Sequence, residues 1–86
     1  MDIHSVDLTA TGRRLKKLCQ DRGVTATDLQ TLLNLTSTAG VYKWFSGQNL
    51  PTIDNLVNIA RFLGVTTEEI LVMSGEEEKD AEARVL

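Results

Sequence analysis

Three threonines punctuate this chain and divide it into short helices. Thr25 follows Val24 and precedes Asp28 and Leu29, and Thr66 follows Val65 and precedes Glu69 and Ile70. At each place the hydroxyl can accept from the free backbone N–H groups that open a helix. The acid three residues on sits near the positive end of the helix dipole, and the flanking apolar pair can staple the entry. The reciprocal side-chain bond is usually made by glutamate, so Glu69 fits it better than Asp28. The third start, Pro51-Thr52 ahead of Ile53-Asp54-Asn55-Leu56, has the cap but no acid or glutamine three residues on. Gly23, Gly47 and Gly64 each follow an apolar-periodic stretch, where a left-handed residue closes a helix.

These marks predict an all-α chain of five short helices. The first spans about residues 10–22, with Leu15, Leu18 and Cys19 inward, and the second spans 26–33, with Leu29, Leu32 and Leu33 inward. The third spans about 38–46 with Ser37 as its cap, and Val41, Trp44 and Phe45 fall on its inward spacing. The fourth spans 53–63, inward at Ile53, Leu56, Ile59, Ala60 and Leu63, and the fifth about 67–73. No alternating strand pattern and no internal repeat appears. Residues 1–8 read as a flexible N-terminal arm, 9–75 as the globular domain and 76–86 as an acidic C-terminal tail. The tail follows Ser74-Gly75 and reads as frayed or disordered, with a sixth helix as the alternative.

The formal net charge of −3 argues at first against nucleic acid. Divided along the chain, it does not. Residues 1–75 carry seven basic side chains and seven acidic ones, so the tail supplies the whole excess and the globular part is free to present a basic face. One cysteine, Cys19, allows no internal disulfide and fits a reducing cytoplasm. Its neighbours make it a packing residue rather than a reactive thiol. No apolar run approaches the ~20 residues of a membrane span, and the first residues show no signal peptide. No Gly-rich phosphate loop or cysteine pair appears, and His4 stands alone. Neither an enzymatic activity nor a metal or cofactor is expected.

Three stretches carry a family resemblance. They are Gly12-Arg-Arg-Leu15-Lys-Lys-Leu18 ending at Gly23-Val-Thr, then Val41-Tyr-Lys-Trp44-Phe-Ser-Gly47, then Leu50-Pro-Thr-Ile-Asp-Asn-Leu56 through Ile70-Leu. Together they resemble the Cro/repressor-type (XRE) helix-turn-helix family of transcriptional regulators, over roughly residues 9–72. The resemblance implies a compact five-helix, lambda-repressor-like domain whose second and third helices form the helix-turn-helix. In such proteins the third helix enters the major groove of double-stranded DNA and the second crosses the backbone. Carried over by position, Ser37, Thr38 and Ala39 form the base-reading surface, with Tyr42 and Lys43 a turn further on. Thr25 and Ala26 would sit on a phosphate, and Gln48 and Asn49 would offer donors to phosphate.

The departures are specific. The family's glutamine at the start of the second helix is Ala26 here, and Ala39 and Gly40 stand where many members carry a long polar reader. Alanine can touch a thymine methyl but cannot bond a base edge, and Gly40 weakens the helix by about 1 kcal/mol relative to alanine. The turn between Leu33 and Val41 is one residue longer than in the best-known phage members. An ion pair common in the family is replaced at both ends, by Cys19 and Phe45, which leaves neither charge stranded. Arg13, Arg14, Lys16 and Lys17 either clamp phosphates or form a solvated face.

The function implied is sequence-specific DNA binding by a regulator, a repressor acting as a homodimer. Ile70, Leu71 and Met73 are the expected dimer face, extended by Val85 and Leu86. The alternative is a protein-interaction module on the same fold, an antitoxin or bridging factor, that holds a regulatory protein partner with the fifth helix and the acidic tail.

Overall fold

The computed structural model describes residues 4–75. The expectations for the tail from Glu76 onward, including Val85 and Leu86, lie outside the described residues. Within them the chain forms five helices: α1 (Leu8–Asp21), α2 (Ala26–Leu33), α3 (Ala39–Phe45), α4 (Ile53–Leu63) and α5 (Thr67–Ile70). α2 and α4 have the bounds that the sequence predicts. Thr25, Thr52 and Thr66 cap their helices as expected, accepting from the N–H groups of Asp28, Asn55 and Glu69. Both reciprocal boxes close. The Thr25 N–H donates to the Asp28 carboxylate at 2.9 Å and the Thr66 N–H to Glu69 at 3.1 Å. The preference for Glu69 over Asp28 is thus corrected, because the shorter acid also reaches back.

The core joins Leu15 and Cys19 of α1, Leu29 of α2, Val41 and Trp44 of α3, Ile59, Ala60 and Leu63 of α4, and Ile70 of α5. Two expected core residues lie elsewhere. Ile53 is 79% exposed, since it opens the first turn of α4, ahead of the part that meets the core. Leu32 is 40% exposed at the margin of a helix only eight residues long.

α1 and α3 meet backbone to backbone. A methyl group at Gly12 would run into the carbonyl oxygens of Trp44 and Phe45. At the far end of α3, Gly47 takes φ 82° and lies so close to Thr9 that a Cβ would sit 2.8 Å from the Thr9 Cα. These two glycines fix how α3 lies across α1.

The ends of the domain differ from the sequence expectation. The fifth helix stops at Ile70 rather than near residue 73, because the next residues pair with the start of the chain. Val6 and Met73 form an antiparallel bridge, the Asp7 N–H donates to the Val72 carbonyl at 2.7 Å, and the Ser74 N–H to the Ser5 carbonyl at 2.7 Å. Thr11, 2% exposed, completes the clasp. Its hydroxyl accepts from the Val72 N–H at 2.9 Å and donates to the Val72 carbonyl at 3.3 Å. Asp7 also caps α1, accepting from the Ala10 N–H at 2.9 Å. The expected free arm over residues 1–8 is therefore corrected for its second half: Ser5 to Asp7 are paired and Leu8 is helical.

Candidate nucleic-acid interface

The turn that sets α3 against α2 is built without glycine. Asn34 closes α2 in the left-handed region at φ 56°, which asparagine tolerates better than most residues. The Leu35 N–H then donates to the Gln30 carbonyl at 2.9 Å, and the Gln30 amide donates to the Leu35 carbonyl at 3.4 Å. Leu35 packs against the core, so the turn is anchored as well as bonded. The cap residue of α3 is Thr38, whose side chain makes no cap bond, rather than the expected Ser37; Ser37 lies one residue earlier, and its hydroxyl accepts from the Ala39 N–H at 3.2 Å.

Helical spacing then sorts α3 into two faces. Val41 and Trp44 are buried, while Ala39, Tyr42 and Lys43 point to solvent. Ser37, Gln48 and Asn49 are exposed at its two ends, and Thr38 is half-buried. Tyr42, 59% exposed, is steadied edge-on by Phe45, with ring centroids 6.1 Å apart. The predicted reading residues thus share one open surface. Thr25 is exposed beside it, but the Ala26 methyl is in the core, so Ala26 has only its backbone N–H to offer an anion.

A cleft of about 360 Å³ runs between the end of α1, the start of α2 and the outer side of α3, bordered by Lys16, Gln20, Thr25 and Tyr42. Its floor includes Cys19, whose thiol burial pushes up from 9.0 to about 11 against a smaller opposing effect of Arg22. The residue at this position is therefore a neutral packing group at physiological pH.

The basic side chains of α1 separate into two groups. Arg14 donates to the Glu69 carbonyl at 2.9 Å and Arg22 to the Leu63 carbonyl at 2.7 Å, so both tie α1 to the ends of later helices. Lys17 pairs with Asp21 at 3.4 Å. Arg13 and Lys16 are exposed and have no ion-pair partner among the described residues, and the same holds for Lys43 on α3. Residues 9, 13, 16 and 20 fall on one line of an α-helix. Arg13 and Lys16 thus continue the line of Thr9, which meets Gly47 just past α3.

The expected dimer face is reduced. Ile70 is fully buried in its own chain and cannot meet a partner, so its assignment there is corrected; Leu71 and Met73 are half-buried. Among the described residues no cluster of three metal-ligating side chains occurs, and no helix is long and apolar enough to cross a membrane.

The helix-turn-helix family HTH_3 matches residues 15–70, which takes in all of α2 through α5 and the second half of α1. The chain belongs to this XRE-type helix-turn-helix family. Solved structures agree with the fold. The restriction-modification controller protein C.AhdI from Aeromonas hydrophila is 26% identical, with a TM-score of 0.66 over 74% of this chain and 96% of its own. The DNA-binding domain of BldD from S. venezulae is 19% identical, with a TM-score of 0.63 over 77% of this chain and 97% of its own. A transcriptional regulator from Listeria innocua is 20% identical, with a TM-score of 0.66 over 98% of this chain and 75% of its own. The search of curated proteins gave no match.

Proposed function

We propose that this family member is a sequence-specific regulator of transcription, a repressor that binds double-stranded operator DNA as a homodimer and works in the cytoplasm. α3 enters the major groove and reads bases with Ser37, Thr38, Ala39, Tyr42 and Lys43. Phosphates are held by the start of α2 at Thr25 and the Ala26 N–H, by Gln48 and Asn49, and by Arg13 and Lys16. The observation that carries this reading is the fate of the described cations near α3: Arg14 and Arg22 are tied to carbonyls and Lys17 to Asp21, while Lys43 on α3 and Lys16, which borders the same cleft as Tyr42, have no ion-pair partner among the described residues, as is also true of Arg13 and of Arg61 on α4. A protein that neutralises phosphates needs cations that are not already neutralised at home.

Dimerisation rests on size and on the surface left open. One such domain covers only roughly 600–1,000 Å² on DNA, less than tight specific binding usually needs. Two copies on half-sites one helical turn apart supply the rest. Leu71, just before the clasp, and Met73, within it, are the proposed contact.

The test is a salt titration of DNA binding by the wild-type chain and by Lys16→Ala and Lys43→Ala. Loss of a phosphate contact weakens binding to all sequences and flattens the log–log salt slope by about 1. The reading predicts this for Lys16. Lys43→Ala should instead lose discrimination between sequences. Unchanged binding in both variants would refute the assignment.

A further inference from the structure

Gly40 is the one described glycine whose bareness nothing in the chain requires. Gly23, Gly47, Gly64 and Gly75 have φ between 67° and 87°, where a side chain is strained, and Gly12 is pressed against backbone carbonyls. Gly40 has neither reason. It lies inside α3 in ordinary helical backbone, and a Cβ built there meets no heavy atom within 4 Å. Glycine is less favourable than alanine in a helix. The position therefore weakens the short α3 without any gain in packing, between exposed Ala39 and buried Val41, and three residues before the unpaired Lys43.

We propose that Gly40 is bare because DNA, not the protein, occupies the space above it. The first turn of α3 seats its backbone in contact with base edges in the major groove, and a side chain at residue 40 holds the two surfaces apart. Gly40 is then a specificity-determining residue, since it sets how deeply the neighbouring readers reach. The inference rests on the DNA-binding reading above.

The two demands on Gly40 pull in opposite directions, and the experiment uses that. The full chain is compared with Gly40→Ala, and with Asn58→Ala as a control on the exposed face of α4, away from α3. Thermal melts and binding to the selected operator and to an unrelated duplex are measured for each. Gly40→Ala should raise Tm by about 2–8 °C, the usual gain at a compatible site in a domain of this size. It should weaken operator binding about tenfold or more, the scale of a mismatched base pair, and leave binding to the unrelated duplex unchanged. Asn58→Ala should leave both affinities as they are, which separates the effect from a change in stability.

A raised Tm with unchanged operator affinity would overturn the proposal, and so would a lowered Tm, which would mean the fold itself needs the glycine. Equal weakening on both duplexes would also overturn it, since the effect would not be on base reading. A wild-type chain that selects no operator fails before any substitution is made; that outcome removes the DNA-binding reading and the proposal with it.

Discussion

Cys19 shows how a single side chain can be assigned by its surroundings. Its thiol is 2% exposed, and burial holds its pKa at about 11 against 9.0 for the free group. The folded state therefore favours the neutral thiol more than the unfolded state does. That contribution to stability is complete below pH 9 and is lost as pH rises towards 11. Cys19→Ala should cost about 1 kcal/mol near neutrality through lost packing. The gap from wild type should narrow between pH 9 and 11 in urea titrations, while a constant gap would mean the thiol is not buried in solution. The packing role of Cys19 was legible because its spacing with Leu15 and Leu18 placed it inward. Gly12 was not legible in this way. A glycine inside a predicted helix carries no mark of what lies opposite, and its contact with the Trp44 and Phe45 carbonyls exists only once α1 and α3 have met.

At the scale of elements, local chemistry fixed the helices and long-range pairing fixed the ends. Threonine caps and apolar spacing are written within a few residues, so α2 and α4 could be bounded from sequence. The clasp between residues 5–7 and 72–74 spans most of the chain, and no local signal announces it. A hint existed in Asp7 ahead of Leu8-Thr9-Ala10, a capping residue before a helix-forming run, which would have extended α1 and shortened the arm. Thr11 is the pin of that clasp. Thr11→Val would leave the buried Val72 N–H without its acceptor, at a cost of about 1–3 kcal/mol. Amide exchange should then accelerate first at Asp7, Val72 and Ser74, ahead of the core helices. Exchange that rises evenly over the whole domain would show that the clasp does not open on its own.

For the whole molecule, the proposed reading surface was legible as a set of exposed positions, but its supports were not. Sequence placed Ser37, Ala39, Tyr42 and Lys43 on one side of α3, and they share an open face. It left Arg13, Arg14, Lys16 and Lys17 undecided, because a bond such as that of Arg14 to the Glu69 carbonyl of α5 depends on tertiary packing. It also overcounted the surface free for a second copy. Ile70, Leu71 and Met73 look equally apolar in a row, yet Ile70 fills the core and the chain turns extended at Leu71. The proposed dimer contact therefore narrows to Leu71 and Met73. Leu71→Asp should give a folded monomer by sedimentation with weaker operator binding. A dimer of unchanged stability would place the contact elsewhere.

The central claim is that the open face of α3 reads a DNA sequence, and selection of binding sites from a random duplex pool tests it most directly. The account predicts an enriched site with two related half-sites, bound with a log–log salt slope of about −4 to −8 as phosphates are neutralised. No enrichment, with only feeble salt-sensitive binding, would contradict it and favour a protein-interaction module on the same fold.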